Sequence, residues 1–127
     1  GEMVDCLFCD NKRFNIILEN ELAYAIYDKY PVNNGHVLVI SKRHYQSFFD
    51  AILEEVQAIY QLIKQVKSIL DQSFQPTGYN IGVNVNKRAG QTIMHLHVHM
   101  IPRYDGDVEN PVGGIRNLKP SLVPYRV

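Results

Sequence analysis

The chain has 127 residues, thirteen Lys plus Arg against thirteen Asp plus Glu, and only two cysteines. That length suits one domain with a core of its own, without disulfides or internal repeats. Zero net charge excludes the electrostatic footprint of a nucleic-acid polymer binder; with no apolar run as long as a membrane span and no signal-peptide pattern, a soluble cytoplasmic protein is expected.

Gly1-Glu2 ahead of Met3 reads as a cloning remnant and is left out of the fold. The two cysteines follow at once as Cys6-Leu7-Phe8-Cys9. That spacing fits half of a zinc site or a thiol redox pair, and zinc is favoured because a redox pair should follow a strand and open a helix. A zinc ion needs four ligands, so two more must come from elsewhere, histidines being the natural donors.

Phe14–Glu19 and Leu22–Tyr27 read as two strands of a hairpin turning at Asn20-Glu21. Pro31–Gly35 is a loop, in which Asn33-Asn34-Gly35 tolerates positive φ, and His36–Ile40 is a third, mostly buried strand. A lone histidine at position 36 would read as a satisfied core residue. Asp50 is expected to cap a helix running to about Ser73, with Val56, Ile59, Tyr60, Ile63, Val66 and Leu70 on its apolar face and Glu54, Glu55, Lys64 and Lys67 mainly on its wet side. Tyr79–Val85 alternates as a fourth strand, after which Asn86–Gly90 forms a loop leading to Gln91 and Thr92. Its glycine permits close approach of a phosphate and its amides and hydroxyl offer neutral hydrogen bonds, although such loops are commonly no more than turns.

His95-Leu96-His97-Val98-His99-Met100-Ile101 is the most informative stretch. Read as a strand, it puts three imidazoles on one face and Leu96, Val98 and Met100 on the other, with Pro102 expected to end the ladder for want of an N–H. A polar face open to water is the plain alternative. Against it, the only other histidines, His36 and His44, fall in one short stretch, and the neutral ring is both nucleophile and metal ligand. Beyond Pro102, three prolines and three glycines with little periodicity describe a tail laid over the body or a partner chain, or else disordered.

Gly90-Gln91-Thr92-Ile93-Met94 followed by the histidine strand resembles the signature of the histidine triad (HIT) family of nucleotide hydrolases and transferases. Cys6-Leu-Phe-Cys9, Asp28, Gly35-His36-Val-Leu-Val-Ile40 and His44 also match family positions, so the likeness spans residues 4 to 105. It implies an α+β fold, a five-stranded antiparallel sheet with one long helix and a short N-terminal helix or turn, usually homodimeric; residues 1–105 form the domain and 106–127 the tail. Carried over by position, His97 is the nucleophile, His99 contacts the phosphate and aids the leaving group, and His36 supports the cluster. Gln91, Thr92, Gly90 and Asn84 surround phosphate, Asp28 holds the ribose hydroxyls, and Phe8, Ile26 and Leu38 wall the base pocket. In relatives with the cysteine pair, Cys6, Cys9, His44 and His95 hold a structural zinc.

The activity so implied is hydrolysis at the α-phosphate of a dinucleoside polyphosphate through a nucleotidyl-histidine. The alternatives are a nucleoside phosphoramidase and a non-catalytic nucleotide-binding module. A catalytic zinc held by His95, His97 and His99 together is a further rival, made awkward because the outer two lie nearly two pleats apart. Ile101-Pro102-Arg103-Tyr104 and the Gln-Thr pair resemble the polyphosphate hydrolases more closely, and Lys87, Arg88, Arg103 and Arg116 are candidate contacts to a longer phosphate chain.

Overall fold

The computed structural model describes residues 6–119; Gly1-Glu2 and the last positions of the tail, 120–127, lie outside the described residues. Strands β1 (Leu18–Glu19), β2 (Ala23–Tyr27), β3 (Val37–Ser41), β4 (Gly78–Gly82) and β5 (His97–Arg103) form one sheet in the order β1-β2-β3-β5-β4. Every neighbouring pair is antiparallel. One helix, α1 (Leu53–Phe74), covers one face, and short 3-10 turns at Leu7–Cys9 and Asn11–Arg13 lie at the N-terminal end. The α+β architecture implied above is therefore the one observed.

Strand alternation sorts the side chains into two faces. Ala23, Ala25, Val37, Val39, Val98 and Met100 meet Ile59, Leu62, Val66 and Leu70 of α1 in the main core. Each large aliphatic removed from water there contributes about 1.5–3 kcal/mol. The opposite face is read in rows across the strands: Ile26, Leu38 and His99 share one row, ending on Gly82 of β4, and Tyr24, Ile40 and His97 share the next. The apolar half of that face collects Phe8, Tyr24, Ile26, Leu38 and Ile40 into a second buried cluster.

Several elements differ from the sequence reading. The first strand shrinks from Phe14–Glu19 to two residues, and Asn20 makes the turn by accepting from the N–H groups of Leu22 and Ala23 at 3.0 and 2.9 Å while its Nδ2 donates to Ala58 O. The helix begins at Leu53; Asp50 instead closes a 3-10 turn, Phe48–Asp50, which Ser47 caps by accepting from Phe49 N. Glu55, expected on the wet side, is 2 % exposed. Its carboxylate accepts from Ile52 N, one turn back at the helix start, and from Arg43 Nε and Nη2 at 3.0 and 2.7 Å, twelve positions earlier in the chain. Tyr60, expected in the stripe, is exposed, and Leu62 takes its place in the core.

β4 stops at Gly82 instead of continuing to Val85, and β5 starts at His97 and runs through Pro102. Proline survives because β3 pairs with β5 only as far as Met100, so the missing N–H faces no strand. Pro102 O on that same side accepts from Asn33 Nδ2 at 3.1 Å. The tail is described to Lys119: Asp107 receives Arg103 Nε and Nη2, Asn33 Nδ2 and Tyr104 N, and a 3-10 turn, Gly114–Leu118, folds back beside β4. No helix among the described residues is long and apolar enough to cross a membrane.

Candidate functional site

Strand β5 and the loop before it carry two separate groups of side chains. At the loop, Cys6 Sγ, Cys9 Sγ, His44 Nδ1 and His95 Nδ1 all lie within 4.8 Å of one another. The separations are 3.3 Å from Cys6 Sγ to His95 Nδ1, 3.2 Å from Cys9 Sγ to His44 Nδ1, 3.6 Å from Cys9 Sγ to His95 Nδ1 and 3.1 Å between the two ring nitrogens. Bonds of about 2.0–2.1 Å to nitrogen and 2.3 Å to sulfur give a tetrahedron edges of about 3.3–3.8 Å. The donor set therefore fits a tetrahedral ion. His95 is fully buried, and its Nε2 donates to Ser41 O at 2.6 Å, which leaves the Nδ1 lone pair facing the sulfurs.

Electrostatics agree with that fit. Burial, together with the neighbouring Cys6, pushes the Cys9 thiol up to about 11, so two adjacent thiolates need a cation to form there. Burial, with the repulsion of His44 and His97, lowers His95 in spite of its bond to Ser41 and keeps its ring neutral, the form that ligates.

The second group lies two residues further on. His97 Nδ1 is 2.8 Å from His95 O, so Nδ1 carries the proton and Nε2 presents a lone pair. His36 receives the N–H of Val32 on Nδ1 at 3.0 Å, which puts its proton on Nε2, 3.0 Å from His99 Nδ1 and 3.5 Å from Asp28 Oδ2. Accepting that proton on Nδ1 makes His99 a donor through Nε2. Burial above all, then the neighbouring His97 and His36, lowers His99 to about 4. Burial lowers His36 as well, against the opposing pull of Asp28. Asp28, His36 and His99 also approach closely enough to hold an ion, but His36 Nε2 bears a proton in this arrangement and has no lone pair to give. The result is a neutral relay from Val32 N–H through His36 to His99, beside a ring with an unprotonated Nε2.

The other sequence candidates divide between the two sides of this pair. Phe8, Ile26 and Leu38 lie in the apolar cluster, and the Phe8 ring centroid is 5.1 Å from that of His97 at 68°. Asn84 lines a cavity of about 270 Å³ with His36, His99, Asn80 and Ile101, one side of which is closed by Ile115 and Leu118 of the tail. Gly90 holds φ +98°, ending the 3-10 turn Lys87–Ala89 in a conformation only glycine adopts cheaply, and Thr92 beyond it is exposed. Gln91 is 3 % exposed. Its Nε2 donates to Gln46 O and Ile93 O, and its Oε1 accepts from Asn86 N, all at 2.8–3.0 Å, so in this arrangement it staples the loop and has no free donor.

Of the basic candidates, Arg103 is committed to Asp107 and to Asn80 Oδ1. Lys87 and Arg88 are exposed on the loop. Sequence reasoning did not reach Val32 N–H, Ser41 O or His95 O, because a backbone group carries no side-chain signal. Nor did it reach Tyr24, whose OH donates to Phe8 O at 2.6 Å.

Residues 10–106 match the HIT domain family. The chain belongs to the HIT family. Cys6 and Cys9 lie just before the matched segment, and His44 and His95 within it, so the cluster that could hold an ion draws on both the domain and its N-terminal flank. A relative described as an uncharacterized 16.1 kDa HIT-like protein of Mycoplasma pneumoniae is 37 % identical over 105 residues, 80 % of this chain and 73 % of that one. A bis(5'-adenosyl)-triphosphatase of Dictyostelium discoideum is 33 % identical over 99 residues, 78 % of this chain and 66 % of that one. Among solved structures, a zinc-bound histidine triad family protein of Mycobacterium smegmatis has a TM-score of 0.75 at 31 % identity, covering 83 % of this chain and 79 % of that one.

Proposed function

We propose that this HIT protein hydrolyses a dinucleoside polyphosphate of the diadenosine tetraphosphate type at its α-phosphate, through a covalent bond to His97. The observation that carries the proposal is the 2.8 Å contact of His97 Nδ1 with His95 O, which leaves Nε2 unprotonated beside a neutral donor, His99. His97 Nε2 attacks the α-phosphorus, and the bond from phosphorus to the bridging oxygen breaks. The electron pair goes to the leaving nucleotide, whose oxygen is stabilised by the N–H at His99 Nε2. Water then opens the nucleotidyl-imidazolium, forming the mononucleotide, restoring neutral His97 and releasing one proton to solvent. Two accessible displacements replace one difficult one.

Asp28, held beside His36, suits the ribose hydroxyls; Asn84, Gly90, Thr92 and Gln91 surround the phosphate, Gln91 chiefly by shaping the loop. Phe8, Ile26 and Leu38 supply apolar wall for the base. We assign zinc to Cys6, Cys9, His44 and His95, which would supply all four ligands and make the site a structural one, in a cytoplasmic homodimer. The ion's own contribution is to fix the N-terminal flank against the loop before β5. The similarity to a bis(5'-adenosyl)-triphosphatase supports the polyphosphate reading, since that relative's name gives a 5'-linked dinucleoside polyphosphate as its substrate.

The test is side-by-side turnover of diadenosine tetraphosphate and adenosine 5′-phosphoramidate with His97→Ala as control. Preference for the dinucleotide, with AMP and ATP as products and loss in the variant, is the expected result. Preference for the phosphoramidate would move the chain to the phosphoramidases, and binding without turnover of either would leave a nucleotide-binding module.

A further inference from the structure

We infer that Phe8 is a positioning residue through which the metal-donor cluster holds the His97 ring, an inference that rests on the assignment of His97 as nucleophile. Phe8 lies between the two cysteines on the 3-10 turn Leu7–Cys9, where Leu7 faces outward at 37 % exposure and Phe8 inward at 3 %. Its ring meets His97 with centroids 5.1 Å apart at 68° and His95 with centroids 6.1 Å apart at 90°, the edge-to-face geometry favoured by aromatic quadrupoles.

Besides the edge contact with His99, centroids 5.2 Å apart at 65°, two contacts fix the His97 ring from the side of the donor cluster. One is the hydrogen bond from Nδ1 to the carbonyl of His95, a donor residue. The other is the flank supplied by Phe8, which the cysteines on either side hold in place. Residues 6–13 contribute no strand to the sheet, only two short 3-10 turns. Their ties to the body are the sulfur contacts to His44 and His95, the bond from Tyr24 OH to Phe8 O, and the packing of Phe8 and Phe14. Opening the donor cluster removes the first of these and loosens the second contact on His97 while sparing the first. Closure of a centre that touches no substrate therefore restrains the group that attacks.

The experiment compares zinc-loaded protein, chelated protein, Phe8→Ala and Phe8→Leu by three readouts: zinc content, the imidazole C–H resonances of His97, and steady-state kinetics with diadenosine tetraphosphate. Phe8→Ala is expected to keep one zinc per chain, to move the His97 resonances and to lower kcat by about tenfold to a hundredfold, the range set by a slightly misplaced reacting group, with a smaller change in KM. Phe8→Leu, which restores apolar bulk, should recover to within about threefold of the parent. Chelation of the parent should move the His97 resonances in the direction seen for Phe8→Ala. Unmoved resonances on chelation overturn the inference, as does a Phe8→Ala effect confined to KM, which would leave Phe8 as base wall alone. Because chelation acts on the unsubstituted chain, the resonance test survives any folding failure of a variant. Turnover retained by His97→Ala would instead remove the nucleophile assignment, with the resonances still deciding whether the two centres are coupled.

Discussion

His95 and His97 are the same residue type two positions apart, yet the structure gives them opposite chemistry by occupying opposite nitrogens. His95 spends Nε2 on Ser41 O and turns Nδ1 toward two sulfurs; His97 spends Nδ1 on His95 O and keeps Nε2 for the open side. The carbonyl each ring finds selects its tautomer, and the tautomer selects its role. His99 is a third case, made a donor by a relay that begins at Val32 N–H. Position in a histidine row thus says less about a ring than the backbone group it leans on.

The largest test of this division is His97→Ala, expected to reduce turnover about 10⁴-fold with an unchanged circular dichroism spectrum and full metal content. His95→Ala should reverse that pattern, losing metal and stability together; equal behaviour of the two variants would erase the distinction. Next in size is removal of the ion. Cys9→Ser or a chelator should lower Tm by roughly 10 °C or more, read by thermal unfolding, because binding free energy of a closed site is folding free energy.

A smaller effect separates the cluster from its scaffold. Glu55 holds Arg43, the neighbour of ligand candidate His44, and Glu55→Ala should lower Tm by roughly 5 °C. Burial opposes ionisation of Glu55, but the hydrogen bonds from Arg43 and Ile52 N outweigh it and hold its value below the usual 4.5. Its contribution is complete above pH 4.5 and is lost as pH falls below that. Denaturant titrations of Glu55→Gln should therefore show a flatter acid limb than the parent.

The smallest expected effect belongs to His99. Its folded value of about 4 lies below the ordinary 6.5, so on acidification the unfolded chain takes up its proton first. Stability falls as pH drops from about 6.5 to about 4 and loses nothing further from this group below that. His99→Gln should remove that slope, read by denaturant titrations of parent and variant across that pH range.

Much of this was legible in the chain because strand alternation is a local property. Leu96, Val98 and Met100 reach the core, the histidines reach the other face, and the cysteine pair finds His44 and His95, as their spacing and the family likeness implied. What the chain alone did not determine are features set by a partner distant in sequence. Glu55 is buried because Arg43 meets it across twelve positions, and Pro102 stays in a strand because β3 has already ended beside it. Gln91 is turned inward by Gln46 O, forty-five residues away. The tautomers of three histidines depend on Ser41 O, His95 O and Val32 N–H, groups every residue possesses and no sequence pattern marks. Residue types determined which chemistry was available to this protein; only the folded backbone, by choosing which ring nitrogen to occupy, decided where each part of it is done.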